Sequence, residues 1–77
     1  MKPRTTVKIS EVAEYIANRW AFETNRQTMR GFTDFSGVYG VYSYNTCIAQ
    51  YDGVWKLADR GGYGPHREIV ICAVNGW

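Results

Sequence analysis

The sequence holds no run approaching the roughly 20 apolar residues of a membrane-spanning helix. Its opening, MKPRTTVKIS, has no apolar stretch that would serve as a signal h-region. The expectation is a cytoplasmic protein that keeps its thiols reduced. Cysteine is scarce, with only Cys47 and Cys72, and the single histidine is His66. Neither C-x-x-C nor H-x-x-x-H spacing occurs among them, so no zinc set is expected. Charge excess is also missing: nine basic and seven acidic residues leave a net charge of +2. That balance is too mild for the strongly basic footprint of nucleic-acid binding and far from the acidity of a DNA mimic.

Catalytic signatures are missing as well. There is no G-x-S-x-G elbow, and the carboxylates are scattered without a spacing that pairs them for acid–base work. Gly61-Gly62-Tyr63-Gly64 lacks the lysine of a phosphate-binding loop, and no helix is expected to follow it. Both cysteines fall within apolar runs read as strands, where burial raises a thiol pKa and blunts reactivity. His66 reads as a loop residue, exposed or bonded to a neighbouring backbone group. No catalytic residue, metal or cofactor is therefore expected, and the chain is read as a non-enzyme.

Aromatic residues, in contrast, are abundant. Three Trp, six Tyr and three Phe make up 16% of 77 residues, and each ring buries about 150–250 Å² when covered. One small domain of this length needs such dense side chains, because it hides only roughly 60% of its unfolded surface. Residues 1–77 are read as a single domain, with residues 1–8 as a basic arm carrying Lys2, Arg4 and Lys8.

Periodicity predicts a helix from Ser10 to Trp20 or Phe22. Ile9, Val12, Ala13, Ile16, Ala17 and Trp20 form one apolar stripe, Ser10 is the N-cap, and Glu11 and Glu14 favour the positive end of the dipole. Glu23 to Gln27 read as a polar connection, and MRGFTDF as a short strand. VYGVYSYNTCIAQY, Asp52-Gly53 and VWKLAD carry a hairpin signal, since Asp-Gly suits a two-residue turn. That register puts Tyr51 opposite Val54 and Ile48 opposite Leu57. Tyr44, Ile48, Trp55 and Leu57 then share the helix-covered face, and Cys47, Ala49, Tyr51, Val54, Lys56 and Ala58 share the other. After the glycine-rich loop, EIVICAV is apolar at nearly every position and reads as a central strand. The expected fold is α+β, one N-terminal amphipathic helix on an antiparallel sheet of three or four strands.

Two features point to binding. The loop from Arg60 to Arg67 combines two arginines, Tyr63 and His66, a mixture suited to phosphate contacts and base stacking; its plainer reading is a connection between strands. The strand aromatics Tyr39, Tyr42, Tyr44, Tyr51 and Trp55 exceed what one thin core hides. Exposed Tyr, Trp and Arg are the residue types that dominate protein interfaces, although strands favour aromatics in any case.

The segment Tyr42-Ser43-Tyr44-Asn45-Thr46-Cys47-Ile48-Ala49, followed by Asp52-Gly53, Trp55, Tyr63 and His66, resembles a group of small uncharacterised bacteriophage proteins. These share an S-Y-x-T-x-I-A strand, a tryptophan near the next strand and a Y-S-x-T-T-x-x-H segment. The likeness covers about residues 41 to 67, and the threonines before the histidine are replaced here by Gly64-Pro65. It implies a phage gene expressed in bacterial host cytosol. Small phage proteins frequently block host or defence-system proteins, so the expected function is stoichiometric binding to such a protein as an inhibitor or modulator. The expected anchors are Tyr39, Tyr42, Tyr51, Trp55, Arg60, Tyr63 and Arg67. The alternative is a nucleic-acid or nucleotide binder using the Arg60–Arg67 loop. A homodimer through the hairpin edge is compatible with both.

Overall fold

A computed structural model describes residues 6–58 and 61–75. The chain enters with a two-residue strand, β1 (Thr6–Val7), and a 3-10 turn at Ile9–Glu11. The cap is Lys8 rather than Ser10: its N–H donates to Glu11 Oε1 at 3.1 Å, and the Glu11 N–H donates back to the Lys8 carbonyl at 2.8 Å. The expected helix, α1 (Val12–Ala17), is six residues long and stops well before Phe22. What stops it is a left-handed closure. Arg19 takes φ 55°, its N–H donates to Ile16 O at 3.0 Å, and Trp20 N–H donates to Tyr15 O at 2.8 Å. These are the paired bonds of a Schellman motif. The accompanying apolar contact is the Trp20 ring set edge-on to Tyr15, centroids 5.4 Å apart.

Ending the helix there frees β2 (Phe22–Thr24) to pair in parallel with β1 and antiparallel with β3 (Met29–Thr33). The residues expected to form only a polar connection thus begin as a strand. Thr24 is buried, and its hydroxyl accepts the Met29 N–H at 2.8 Å, closing the β2–β3 turn. The run VYGVYSYNTCIAQY is two strands rather than one. It folds back at Tyr44-Asn45, separating β4 (Tyr39–Ser43) from β5 (Thr46–Tyr51). Tyr44 adopts φ 57° there, and its N–H donates to Thr28 O at 2.8 Å. The last strand, β6 (Trp55–Leu57), completes a six-stranded mixed sheet in the order β1-β2-β3-β4-β5-β6.

The β5–β6 hairpin forms with a three-residue loop. Tyr51 pairs with Trp55 and Ala49 with Leu57, one position away from the expected register. Because side chains alternate with a period of two, that shift brings Ala49 and Tyr51 to the helix side, while Trp55, Leu57 and Lys56 keep the faces expected for them. Ala49, Tyr51, Trp55 and Leu57 lie on the helix side, while Gln50 and Lys56 lie on the other. A bulge between β4 and β5 adds to this, since the register slips by one between Val41 and Tyr42. Two successive residues, Ile48 and Ala49, are both buried as a result.

The largest departure is EIVICAV, which lies in a helix, α2 (Gly64–Val74), and not in a strand. Pro65 stands in the first turn, where its missing N–H costs nothing. His66, Val70 and Ala73 then form the buried stripe at helical spacing. The β-branched residues of the run weigh only tenths of a kcal/mol each against helix, less than one buried face returns. Val70 and Ala73 join Val7, Val12, Ile16, Phe22, Met29, Tyr39, Val41, Ile48 and Ala49 in one core between the helices and the sheet. The class is α+β as expected, with two helices in place of one and a larger sheet.

Gly31 makes the closest approach in this core. A Cβ built there would stand 2.3 Å from the Phe22 ring and 2.6 Å from the Tyr39 hydroxyl. Gly31→Ala is expected to destabilise the fold by at least about 2 kcal/mol through overpacking. Glu68→Ala, at an exposed position of α2, is expected to stay within about 0.5 kcal/mol of the wild type. Urea denaturation of the two variants beside the wild type checks the contrast.

Candidate functional site

Because the register fixes which side chains share a face, the uncovered face can be read strand by strand. Phe32 lies opposite Gly40, Gly40 opposite Gln50, and Gln50 opposite Lys56. In the next row Glu23 faces Arg30, Arg30 faces Tyr42, and Tyr42 faces Cys47. Gly40 leaves room in the middle, and the Tyr42 ring occupies it: a Cβ on Gly40 would come 3.1 Å from Tyr42 Cε1. The Tyr42 ring stacks on Phe32 at 5.4 Å with only 6° between planes, and the Arg30 guanidinium lies 5.5 Å from the Tyr42 centroid. Guanidinium, phenol and phenyl thus form one column across β3 and β4, with Phe32 37% exposed.

The β3–β4 turn extends the same hairpin. Asp34 Oδ1 accepts from the Ser36 hydroxyl at 2.6 Å, from Ser36 N–H at 2.9 Å and from Val38 N–H at 3.1 Å. Its backbone N–H donates to Val38 O at 2.9 Å, and its carbonyl accepts from Gly37 N–H at 3.0 Å. The bond from the Ser36 hydroxyl, then that from Val38, hold the Asp34 carboxyl below the usual carboxylate range. Phe35 sits at the tip of this fixed turn and is fully exposed.

At the opposite end of the sheet, β4 meets the start of α2. Ser43 is completely buried, and its hydroxyl oxygen accepts the Tyr63 N–H at 2.9 Å. The same oxygen lies 2.8 Å from His66 Nδ1, and the imidazole tautomer decides which of the two atoms donates. The rings of Tyr63 and Tyr44 flank the imidazole at 4.9 and 5.8 Å, and His66 retains 5% exposure. The histidine read as a loop residue is therefore a buried helix residue bonded to a side chain. Gly62 fits closely as well, its would-be Cβ lying 2.6 Å from Ile48 and 2.8 Å from Ser43, so this stretch packs tightly against the sheet. Ser43, Tyr44, Tyr63 and His66, distant in sequence, converge here. With Ser43 sealed from solvent, the pair joins α2 to the sheet and offers no accessible nucleophile.

The expected anchors separate under this geometry. Tyr39 is a core residue, 2% exposed, whose hydroxyl donates to Trp20 O at 2.7 Å; burial pushes its pKa above the usual tyrosine range. It presents no binding surface. Tyr51 and Trp55 are half-buried on the helix side, 5.1 Å apart, with the Arg19 guanidinium 4.6 Å from the Tyr51 centroid. Tyr42 belongs to the open-face column. Tyr63 is half-exposed at the N-cap of α2, and Arg67 is half-buried beside Ile48, Leu57, Val70 and Ile71. Arg60 lies outside the described residues, as do residues 1–5 of the basic arm. Among the described residues no three His, Cys, Asp or Glu side chains are placed to hold a metal. Cys47 and Cys72 are free thiols, with Cys72 exposed on α2 rather than packed in a strand.

Phe35, Phe32 and Arg30 were not singled out in the sequence. The signal that finds Phe35 is Asp34-x-Ser36-Gly37, a side-chain-capped turn with an apolar residue in its unassigned position. Phe32 and Tyr42 require the β3–β4 register, which sequence spacing does not supply. No family model, curated protein or solved structure matches this chain.

Burial lowers the His66 pKa, which fixes the sign of its pH effect. Unfolded histidine takes up its proton near pH 6.5, before the folded form does, so stability falls as pH drops through that value towards the lowered folded one. Urea midpoints from about pH 7.5 to about pH 5 are expected to decline in the wild type, and the decline is expected to flatten in His66→Gln.

Proposed function

We propose that this protein is not an enzyme and acts by stoichiometric binding to another protein, using the β3–β4 hairpin tip as its anchor. The observation that carries the reading is Phe35: an apolar ring held fully in water by a turn that Asp34 fixes with three side-chain hydrogen bonds. Such a ring adds nothing to the core. The ordering cost of the turn backbone that carries it is already met, and pre-organisation of this kind raises affinity by reducing what binding must spend. The resemblance of residues 41 to 67 to small phage proteins supports a host or defence-system protein in bacterial cytosol as the partner.

The exposed turn makes the test clean. Phe35→Ala is expected to leave thermal stability within about 0.5 kcal/mol of the wild type while weakening partner binding by about 2 kcal/mol or more. The measurement is quantitative mass spectrometry of proteins retained from bacterial lysate by tagged wild type and by the variant, with nuclease present. A protein held by the wild type and lost by Phe35→Ala supports the reading. Identical retention by both, or retention by neither, sinks it.

A further inference from the structure

The open face of the sheet lies apart from the Phe35 tip and carries a different chemistry. We infer that it is a stacking site for the bases of a single nucleic-acid strand, with Phe32 and Tyr42 as the platform and Arg30 and Lys56 facing the phosphates. Three observations converge on this ligand.

The first is planarity. The Phe32 and Tyr42 rings are parallel within 6° and continue into the Arg30 guanidinium, and a column of flat groups is extended most favourably by another flat group. The second is space. Beside Phe32, a shallow cleft of about 140 Å³ is lined by Phe32, Arg30 and Glu23 with Gly31 and Phe22 beneath. That is close to the roughly 150 Å³ which accommodates one benzene ring. A second open cleft runs past Cys47, Gln50 and Lys56 on the far side of the column, so a strand crossing the sheet meets a recess on each side of the platform.

The third is charge. The register places Arg30 and Lys56 on this face with Gln50 between β4 and β6 as a hydrogen-bonding group. Among the described residues Lys56 pairs only with exposed Asp52 at 3.4 Å, an interaction weak enough for a phosphate to displace. The net charge of +2 does not oppose this, because two local contacts suffice for modest, salt-sensitive binding. The base-stacking role expected for the Arg60–Arg67 loop thus moves to the sheet.

The test uses fluorescence anisotropy with labelled oligo-dT and oligo-U of about 15 nucleotides, and a duplex of equal length as control. Single strands are expected to bind at about 50 mM salt, with a log–log salt slope of about −1.4 for two phosphate contacts. Phe32→Ala is expected to weaken binding at least about fivefold while still unfolding cooperatively above the assay temperature, Tyr42→Phe to retain it, and Arg30→Gln to reduce the slope by about 0.7. Phe35→Ala is expected to leave it unchanged, which separates this site from the protein-binding tip. No binding at low salt, equal affinity for duplex, or indifference to Phe32→Ala overturns the inference. So does loss of a captured protein in Phe32→Ala without oligonucleotide binding, which assigns the face to a protein.

Discussion

The hydroxyl of Ser43 links the end of β4, the start of α2 and the glycine-rich stretch before it. It accepts from Tyr63 N–H, faces His66 Nδ1, and has no exposure to water. A buried hydroxyl without partners would cost kilocalories, so the site is stable only when all three segments are in place. That requirement positions the first turn of α2 and so directs Val70 and Ala73 into the core beside α1. The bulge in β5 contributes from the sheet side by turning Ile48 as well as Ala49 inward, so that Ile48 meets Gly62 and α2.

Both helices consequently lie on one face. The crossover from β1 to β2 places α1 there, and the Ser43–His66 junction brings α2 beside it. Among the described residues, the other face has only its own side chains as cover. Gly40 lies in the middle of that surface, and the Tyr42 ring shields the strand there. This cross-strand covering of a glycine stabilises a sheet without any ligand. The same packing holds Tyr42 against Phe32, which pre-orders the platform. A stabilising role and a binding role therefore draw on one arrangement, and only the salt and single-strand dependence of a ligand separates them.

How far the sequence revealed this differs by element. Class and the start of α1 were legible because the stripe from Val12 to Ala17 is periodic and polar on its far side. Its end was not, because the apolar spacing continues to Trp20 while the chain turns at Arg19, in a left-handed conformation usually left to glycine. α2 was misread because an almost wholly apolar run has no periodicity to separate a buried helix from a buried strand. Pro65 at its start was the available signal. The faces of Ala49 and Tyr51 were misassigned through one residue of loop length after Asp52, whereas those of Trp55, Leu57 and Lys56 were legible. His66 and Ser43, 23 positions apart, come together only through tertiary structure. The aromatic excess was legible as a composition but not as a place: Tyr39 fills the core, whereas Phe35, outside the tyrosine-rich strand, carries the exposure.

Phe35 and Phe32 therefore bear on function with unequal weight. Part of Phe32 is explained by the fold, since it packs on Tyr42, and a leucine or valine there would also serve the sheet. Phe35 touches no core residue that would reward an aromatic ring, while five neighbouring backbone and side-chain groups bond to Asp34 and hold the turn around it. An exposed turn of this geometry would form equally well with serine or lysine at that position, and with better solubility. A ring kept there against solvation, on backbone already ordered, has the properties of a contact made outside the chain. The hairpin tip is on these grounds the stronger of the two surfaces. The sheet face carries the more distinctive chemistry, because parallel rings, a recess of about 140 Å³ and flanking cations lie together on it.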